Sequence, residues 1–270
     1  MNLNLLLLTM GKWPKLWRFE KFCKFKRRKN LPSLSDIIKD VKNRKEFMNK
    51  LYTRRSIKKI ERLTKKQANS TEWFYYRKGM VTATIAKRLV YAVKNENVND
   101  NLKRAIEKKD SSILHYPALV YGRENESQGV RAFYNFMKYR HKNLRIQQVG
   151  LKIDENLKFL AGSGDGVVSC SCCSESRLLE IKCPFRLRNS SIKTNGHLLE
   201  YLDGDSNLVK SHSYYYQINV CLGVWKCKTC YFVIYTPKDI LIKEIHFDEQ
   251  LFKTMKESVK EYYFKYYLKF

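Results

Sequence analysis

The strongest constraint in this sequence comes from two short apolar segments that carry charged residues at fixed places. Residues 162–168 hold Asp165 between two glycines, and residues 178–184 hold Glu180 and Lys182 in an otherwise apolar run. If 178–183 is a strand, Glu180 and Lys182 project from one face, because side chains alternate between the two faces of a strand. A hairpin joining the two segments would then place Asp165 beside Glu180.

This set of charges has two interpretations. Paired carboxylates repel one another unless a cation lies between them, and oxygen ligands of this kind suit Mg²⁺ or Mn²⁺. Lys182 would then orient a water molecule or neutralise a phosphate. Alternatively, Glu180 and Lys182 form an exposed pair that contributes little. The spacing alone leaves both interpretations open.

The periodicity of apolar residues predicts helices and short strands around these segments. Helices are expected over residues 35–66, 117–139, 213–224 and 248–268, with a loop and a short helix over 94–112. Strands are expected over residues 147–153, 159–169, 178–183, 231–236 and 241–247. This order predicts an α/β (α+β) fold in which helices flank a small mixed sheet. We expect two parts, a basic helical N-terminal extension over 1–70 and a domain over 71–270.

The charge of the chain favours a polyanionic partner. Its 53 Lys and Arg residues exceed its 26 Asp and Glu residues, which gives a net charge of +27. Such a charge suits nucleic acid or an acidic membrane face. The cluster Lys24–Lys29 could contact nucleic acid, act as a nuclear-localisation signal, or lie on a solvated amphipathic arm. All three remain open.

No membrane span is expected. The longest clear apolar run, Leu5–Leu8, is far shorter than the roughly 20 residues that a spanning helix needs. No basic residue precedes these leucines, so a signal peptide is disfavoured. The predicted location is intracellular, in the nucleus if the source is eukaryotic and otherwise in the cytoplasm.

Two helices carry a polar residue on an apolar face. Glu126 shares a face with Val130 and Phe133. It must therefore pair with another polar group, ligate a metal, or lie where the helix extends beyond the core. Gln217 shares a face with Cys221 and should point inward. The alternative for both is an ordinary hydrogen-bonded buried residue.

Residues 77–84 offer groups that could hold an anion. Thr82 and Thr84 lie at the start of a predicted helix, where a hydroxyl and free backbone N–H groups are available. Arg77 could add a bidentate contact. The alternative is an ordinary threonine N-cap.

The eight cysteines raise a separate metal hypothesis. Four of them could form a tetrahedral structural zinc site if the hairpin tip met a later loop: Cys170, Cys173, Cys227 and Cys230. The alternative is unliganded thiols. The five histidines show no ligand spacing, which disfavours a histidine-based hydrolase.

The charged segments also resemble a known signature. Gly-Asp165-Gly followed by Leu-Glu180-Ile-Lys182-Cys-Pro resembles the PD-(D/E)XK nuclease motif, in the form found in bacteriophage-lambda-type exonucleases and YqaJ-like viral recombinase domains. Three further blocks resemble that subfamily in the expected order, so the resemblance covers about 71–247. They are Trp73…Arg77-Lys-Gly-Met-Val-Thr82-Ala-Thr84, Tyr121-Gly-Arg-Glu-Asn-Glu126 and Tyr216-Gln217-Ile-Asn-Val.

The resemblance implies a restriction-endonuclease-like core and a particular site. It implies Mg²⁺, with Mn²⁺ as a substitute, held by Asp165, Glu180, the backbone carbonyl of Ile181, and Glu126. Lys182 and Gln217 would orient water or the scissile phosphate. It also implies a pocket for a 5′ phosphate at Arg77, Thr82 and Thr84.

The activity implied by the resemblance is hydrolysis of linear duplex DNA by a 5′-to-3′ exonuclease in recombination or viral-type DNA processing. A homo-oligomeric ring and a single-strand annealing protein as partner are implied in the same way. Two alternatives remain, a structure- or site-specific endonuclease of the same fold and an inactive nucleic-acid-binding module. Because every signature acid is present, the enzyme is favoured over the binding module.

Overall fold

The structure is a computed structural model that describes residues 31–107 and 116–268. The strands of these residues form two sheets, and the larger sheet has five strands of mixed direction. The described strands are β1 (Val81–Thr82), β2 (Arg145–Gln147), β3 (Lys152–Ile153), β4 (Leu160–Gly162), β5 (Gly166–Ser169), β6 (Arg177–Lys182), β7 (Thr229–Tyr235) and β8 (Ile240–His246). The strand order is β2-β5-β6-β7-β8, and the sheet is antiparallel except for the parallel pair β6 and β7.

The parallel pair forms the buried middle of this sheet. Residues 230–234 of β7 are all buried, and so are residues 178–181 of β6. Near-continuous burial of this kind is typical of parallel strands covered on both faces. Glu180 lies within this buried run, so the strand fixes its backbone firmly.

The second sheet has the order β1-β4-β3, with β1 and β4 parallel. It corrects two sequence predictions, because the runs 147–153 and 159–169 each divide between the two sheets. The second run breaks at 163–165, where the backbone N–H of Asp165 bonds to the carbonyl of Leu179 at 2.9 Å. A Cβ at Gly164 would lie only 3.0 Å from that carbonyl oxygen. This close approach places Asp165 at the start of β5, as the hairpin prediction required.

The described helices of at least four residues are α1 (Leu34–Lys39), α2 (Arg44–Lys50), α3 (Arg54–Leu63), α4 (Thr71–Arg77), α5 (Ala86–Lys94), α6 (Asp100–Glu107), α7 (Pro117–Met137), α8 (Ile192–Asn195), α9 (Ser213–Trp225) and α10 (Glu249–Glu261), followed by a π-helical segment, Tyr262–Tyr267. The predicted long helices are confirmed as α7, α9 and α10. None of the helices in the described ranges is both long and apolar enough to cross a bilayer.

The predicted single helix over 35–66 is wrong, since three short helices occupy that stretch. Each begins at a side chain that caps its first turn, namely Ser33, Asn43 and Thr53. Polar caps of this type satisfy free N–H groups at a helix start and so favour a new helix at each position.

Helices α1 to α3 pack against later parts of the unit that spans Pro32–Phe270. Glu61 accepts a hydrogen bond from the backbone N–H of Gly150 at 3.1 Å, and Thr64 accepts one from Leu151 at 2.7 Å. A Cβ at Gly150 would lie 1.9 Å from the carbonyl oxygen of Glu61, so only glycine fits this contact. Residues 1–30, with the Lys24–Lys29 cluster, lie outside the described residues.

Candidate active site

A cavity of about 360 Å³ opens where β6 ends, between α7, α9 and the turn before α5. Every residue assigned above to catalysis, to the ion or to the 5′ phosphate lines it: Arg77, Thr82, Thr84, Glu126, Asp165, Glu180, Ile181, Lys182 and Gln217. Separate stretches of the chain, far apart in sequence, therefore contribute side chains or backbone to one space.

Glu180 is the centre of the hydrogen bonds in this cavity. The residue is only 3% exposed, and its Oε1 accepts bonds from Lys182 Nζ and Gln217 Nε2, each at 2.6 Å. The Glu180–Lys182 contact is the same-face arrangement that the strand period predicted, but the pair is buried. The alternative of an exposed surface pair is therefore wrong. Gln217 points inward from α9, as predicted.

Asp165 is held by the strand beside it. Its Oδ2 accepts a 2.6 Å bond from the backbone N–H of Ile181. Burial raises the pKa of Asp165 well above its ordinary value, and the charges of Glu180 and Glu126 raise it further. Lys182 and the Ile181 N–H oppose this pKa rise without cancelling it.

Glu126 reaches the cavity from α7. Burial raises its pKa, the charge of Glu180 adds to the rise, and Lys182 opposes it. One turn further along the helix, a Cβ at Gly129 would lie 2.7 Å from Cγ2 of Ile181, so α7 lies very close to β6 at this point. Gly129 thereby allows Glu126 to approach the strand that carries Glu180.

Lys182 keeps its positive charge in this environment. Burial alone would lower its pKa, but Glu180, Tyr214 and Asp165 together raise it above the ordinary value. Its Nζ also lies 4.4 Å from the ring centroid of Tyr214. A lysine that stays protonated can hold a water molecule or a phosphate oxygen by donating hydrogen bonds.

The donor set of the cavity fits a hard divalent cation. Three carboxylates line the cavity with one ammonium group, and the charge of Glu180 adds to the rise that burial causes in the pKa values of Asp165 and Glu126. Carboxylate and carbonyl oxygens are the ligands that Mg²⁺ and Mn²⁺ prefer. In this arrangement Lys182 provides the positive charge next to Glu180.

The anion-binding prediction also has a structural counterpart. The buried Nε of Arg77 has no hydrogen-bond partner among the described residues, while its guanidinium carbon lies 4.6 Å from the ring centroid of Trp73. Burial lowers the pKa of Arg77 to about 10, so the group is still charged at neutral pH. A buried charged donor without a partner favours an anionic ligand.

Thr82 and Thr84 line the same cavity as this arginine. Thr82 is buried and directly precedes a short 3-10 helix, Ala83–Ile85, that leads into α5. Its hydroxyl makes no capping hydrogen bond, which removes the ordinary N-cap alternative for Thr82. The two threonine hydroxyl oxygens are 3.2 Å apart.

Gln67 and Tyr214 also line the cavity, and neither was predicted from the sequence as a site residue. Gln67 donates from Nε2 to the carbonyls of Gly164 at 2.9 Å and Val149 at 3.1 Å, and so supports the turn before Asp165. No local sequence pattern signals this contact, because its partners are more than 80 residues away in the chain. Tyr214 had a signal, since it lies one turn before Gln217 on the same helix.

The structure does not bring the four predicted zinc cysteines together. In the described part of the chain, the ligand-forming group contains Cys170 and Cys173 with Cys172 and His141, and it includes neither Cys227 nor Cys230. Cys230 is buried in β7 opposite Leu178 of β6. Its place in the middle of the sheet keeps it away from the hairpin tip.

The small mixed sheets flanked by helices define the class of fold, the PD-(D/E)XK type. Three of the solved structures that are similar to this chain illustrate it. An alkaline exonuclease (LHK-Exo) from Laribacter hongkongensis is 20% identical, with a TM-score of 0.51, over 72% of this chain and 90% of that chain. The Shutoff and Exonuclease Protein from Kaposi's sarcoma associated herpesvirus is 9% identical, with a TM-score of 0.52, over 85% and 78%. A SOX–DNA complex is 9% identical, with a TM-score of 0.55, over 88% and 79%.

The sequence narrows this class to one family. Residues 72–228, more than half of the chain, match the YqaJ-like viral recombinase domain. The chain belongs to this family, which confirms the resemblance drawn from the five sequence blocks. A search of curated proteins gave no match.

Proposed function

We propose that this chain is a Mg²⁺-dependent deoxyribonuclease that hydrolyses linear duplex DNA from its 5′ ends. The observation that carries the proposal is the single cavity that holds Asp165, Glu180 and Lys182 together with Arg77. The carboxylates in its lining suit a cation, and Arg77 suits an anion. A phosphodiester substrate needs both.

The ion would be held by Asp165, Glu180, Glu126 and the backbone carbonyl of Ile181. When bound, Mg²⁺, or Mn²⁺ in its place, lowers the pKa of a coordinated water and stabilises charge that develops on the phosphate. Lys182 donates hydrogen bonds that position the attacking water. Gln217 holds the Glu180 carboxylate in place through its 2.6 Å hydrogen bond.

The preference for a 5′ end is assigned to the Arg77 pocket. Arg77 would pair with a terminal phosphate, and the hydroxyls of Thr82 and Thr84 would donate to its oxygens. Binding of the terminal phosphate would set the register of the next phosphodiester bond in the cavity, and repeated cleavage would run 5′ to 3′. DNA is the proposed substrate, and one of the three similar structures is of a protein bound to DNA, the SOX–DNA complex.

Further assignments rest on the family resemblance. We propose a homo-oligomeric ring, a single-strand annealing protein as partner, and a role in recombination or viral-type DNA processing. The proposed location is intracellular, in the nucleus if the source is eukaryotic and otherwise in the cytoplasm.

The catalytic assignment is tested with Lys182→Ala and Asp165→Ala on 5′-phosphorylated linear duplex in Mg²⁺ and in EDTA. Each substitution should reduce hydrolysis by at least about 100-fold, because it removes a group that acts in the transition state. DNA binding should be largely retained. Lys228→Ala is the matched control, since Lys228 is an exposed lysine paired with Glu175 outside the cavity. If either Lys182→Ala or Asp165→Ala cleaved DNA at the wild-type rate, the proposed catalytic site would be refuted.

A closed circular duplex separates the exonuclease from its alternatives. An end-dependent enzyme leaves the circle intact while it degrades the linear form. Cleavage of the circle would instead assign a structure- or site-specific endonuclease of the same fold. Binding without any cleavage would assign a nucleic-acid-binding module.

The 5′ phosphate pocket is tested with Arg77→Ala. The rate on 5′-phosphorylated ends divided by the rate on 5′-hydroxyl ends should fall toward one, because the charged donor is lost. Arg104→Ala provides a control, since this arginine is exposed on α6. An unchanged ratio for Arg77→Ala would refute the pocket.

A further inference from the structure

The tip of the β5–β6 hairpin lies against the chain segment that follows α7. Ser171 donates to the carbonyl of Lys142 twice, from its backbone N–H at 2.9 Å and from its hydroxyl at 3.1 Å. Asn143 donates to the Ser171 hydroxyl at 3.2 Å. These bonds hold the loop between Ser169 and Arg177 in a fixed place beside His141.

Four soft ligand groups meet at this contact. The Nδ1 atom of His141 lies 3.4 Å from Sγ of Cys170, 3.6 Å from Sγ of Cys172 and 3.5 Å from Sγ of Cys173. The Sγ atoms of Cys170 and Cys172 are 3.4 Å apart. All four ligand atoms lie within 4.8 Å of one another, and the cysteines are free thiols.

These separations match the edges of a tetrahedral zinc site. With Zn–S near 2.3 Å and Zn–N near 2.05 Å, tetrahedral geometry puts ligand nitrogen and sulfur about 3.6 Å apart and two sulfurs about 3.8 Å apart. All three N–S distances therefore agree within about 0.2 Å. The distance between the sulfurs of Cys170 and Cys172 is somewhat short for zinc, but it is much longer than the roughly 2.05 Å of a disulfide bond.

The surroundings also support thiolate ligands. The backbone N–H of Lys142 donates to Sγ of Cys172 at 3.3 Å, and the side chain of Arg177 is hydrogen-bonded to Cys173. Donors of this kind stabilise negative charge on sulfur and orient the ligand, as groups behind a metal site do. One imidazole with three thiolates is a common ligand set of structural zinc.

We propose that His141, Cys170, Cys172 and Cys173 bind one Zn²⁺ ion. The ion occupies a closed four-ligand site, so its role is structural rather than catalytic. It fastens the end of α7, which carries Glu126, to the hairpin whose strands lead to Asp165 and Glu180. None of the four ligands lines the active-site cavity, and the site is independent of the proposed nuclease function.

The first test is the metal content of the full-length chain. The protein is purified without chelator under reducing conditions, and its zinc is measured by inductively coupled plasma mass spectrometry. About one zinc ion per chain is expected. Cys172→Ser and His141→Ala should each lower zinc affinity by at least about tenfold, since even the loss of a residue behind a ligand costs that much. Cys227→Ser is the matched control and should keep its zinc, because Cys227 lies outside the cluster.

Cobalt gives a second measurement that needs no variant to fold. Removal of zinc from the wild-type chain and titration with Co²⁺ should produce the intense visible bands of a tetrahedral cobalt ion and a thiolate-to-cobalt absorption in the near ultraviolet. Three thiols should become protected from a thiol reagent as the ion binds. These readouts do not depend on DNA cleavage, so they stand or fall separately from the nuclease assignment.

Several outcomes would overturn the proposal. Wild-type protein that binds neither zinc nor cobalt would do so, as would Cys172→Ser protein with an unchanged zinc content. Iron with acid-labile sulfide would assign an iron–sulfur cluster instead. Oxidation of the cysteines to a disulfide in the zinc-treated protein would assign a covalent link in place of the ion.

Discussion

Asp165, which we propose as an ion ligand, carries a cost to the stability of the fold. Its carboxylate is buried beside Glu180 and Glu126, and its pKa is raised well above the ordinary value. In EDTA, we expect Asp165→Asn to raise the free energy of unfolding by about 1 kcal/mol. Stabilising substitutions commonly have an effect of this size, and this one removes a buried acidic group that lies near two others. The asparagine oxygen can still accept the Ile181 N–H. Denaturant unfolding measures the stability, and the same variant should not hydrolyse DNA.

Asp36 provides the matched control for this substitution. Burial acts to raise its pKa, but hydrogen bonds from Ser33 and Tyr75 outweigh burial and leave the pKa lowered. Its ionised form therefore stabilises the fold, and Asp36→Asn should be destabilising. If both asparagine variants changed stability in the same direction, charge repulsion in the cavity would not explain the effect of Asp165→Asn.

The raised pKa values also predict how activity depends on pH. Glu126 and Asp165 lose their protons at higher pH than ordinary carboxyl groups do, and Mg²⁺ binds the deprotonated forms. At limiting Mg²⁺, the cleavage rate should therefore keep rising with pH above the range near 4 in which ordinary carboxylates titrate. Cleavage rates at several Mg²⁺ concentrations and pH values measure this, and saturating Mg²⁺ should move the midpoint to lower pH.

The stability of the metal-free protein should change in the opposite direction. Because the folded state holds protons on Asp165 and Glu126 more tightly than the unfolded chain, stability from these groups falls as pH rises from about 4 through their raised pKa values. If the cleavage rate had its midpoint near pH 4 and did not respond to Mg²⁺, the raised pKa values behind both pH predictions would be contradicted.

The residues of the candidate site differ in how far sequence could predict them. The two-residue period of a strand was enough to place Glu180 and Lys182 on one face, and the glycines around Asp165 marked its bend. Of the four proposed zinc ligands, the sequence prediction included Cys170 and Cys173 but neither Cys172 nor His141. His141 lies 29 residues before Cys170, and only the turn after α7 brings its ring to the hairpin.

At the scale of elements, α7 must lie close to β6 for Glu126 to enter the cavity. A Cβ at Gly129 would lie 2.7 Å from the side chain of Ile181 and 3.3 Å from Cβ of Tyr235. Gly129→Ala should therefore lower the free energy of unfolding by about 1–3 kcal/mol, the usual cost of overpacking. It should also reduce cleavage, because the helix must shift away from the strand. Thermal unfolding and a nuclease time course measure the two effects.

Gly122 on the same helix is the control for this prediction. A Cβ there would have no heavy atom within 4 Å, so Gly122→Ala adds no clash. Because alanine favours a helix over glycine by about 1 kcal/mol, this variant should be as stable as the wild type or more stable. Equal destabilisation by both substitutions would show that backbone packing at Gly129 does not position α7.

Element boundaries were predictable where a single periodicity persisted. The helix over 117–139 carries Val130, Phe133 and Met137 on one face, and the structure confirms it as Pro117–Met137. The runs over 147–153 and 159–169 were each predicted as one strand, but each divides between two sheets. The second run divides where the backbone N–H of Asp165 bonds to the carbonyl of Leu179. These two residues are distant in the sequence, so a local hydrophobic pattern cannot predict the bond.

At the scale of the whole molecule, the net charge of +27 should dominate non-specific affinity for DNA. Replacing the five basic residues of Lys24–Lys29 with glutamine tests whether that cluster contributes. Each lost phosphate contact lowers the slope of log affinity against log salt by about 0.9, so the slope should fall by up to about 4.5. Binding should weaken equally for unrelated sequences, while the cleavage rate at saturating DNA should stay unchanged, because every residue proposed for catalysis lies outside this stretch of the sequence. Equilibrium binding between low and moderate salt measures the slope, and an unchanged slope would assign the cluster to a role other than DNA contact.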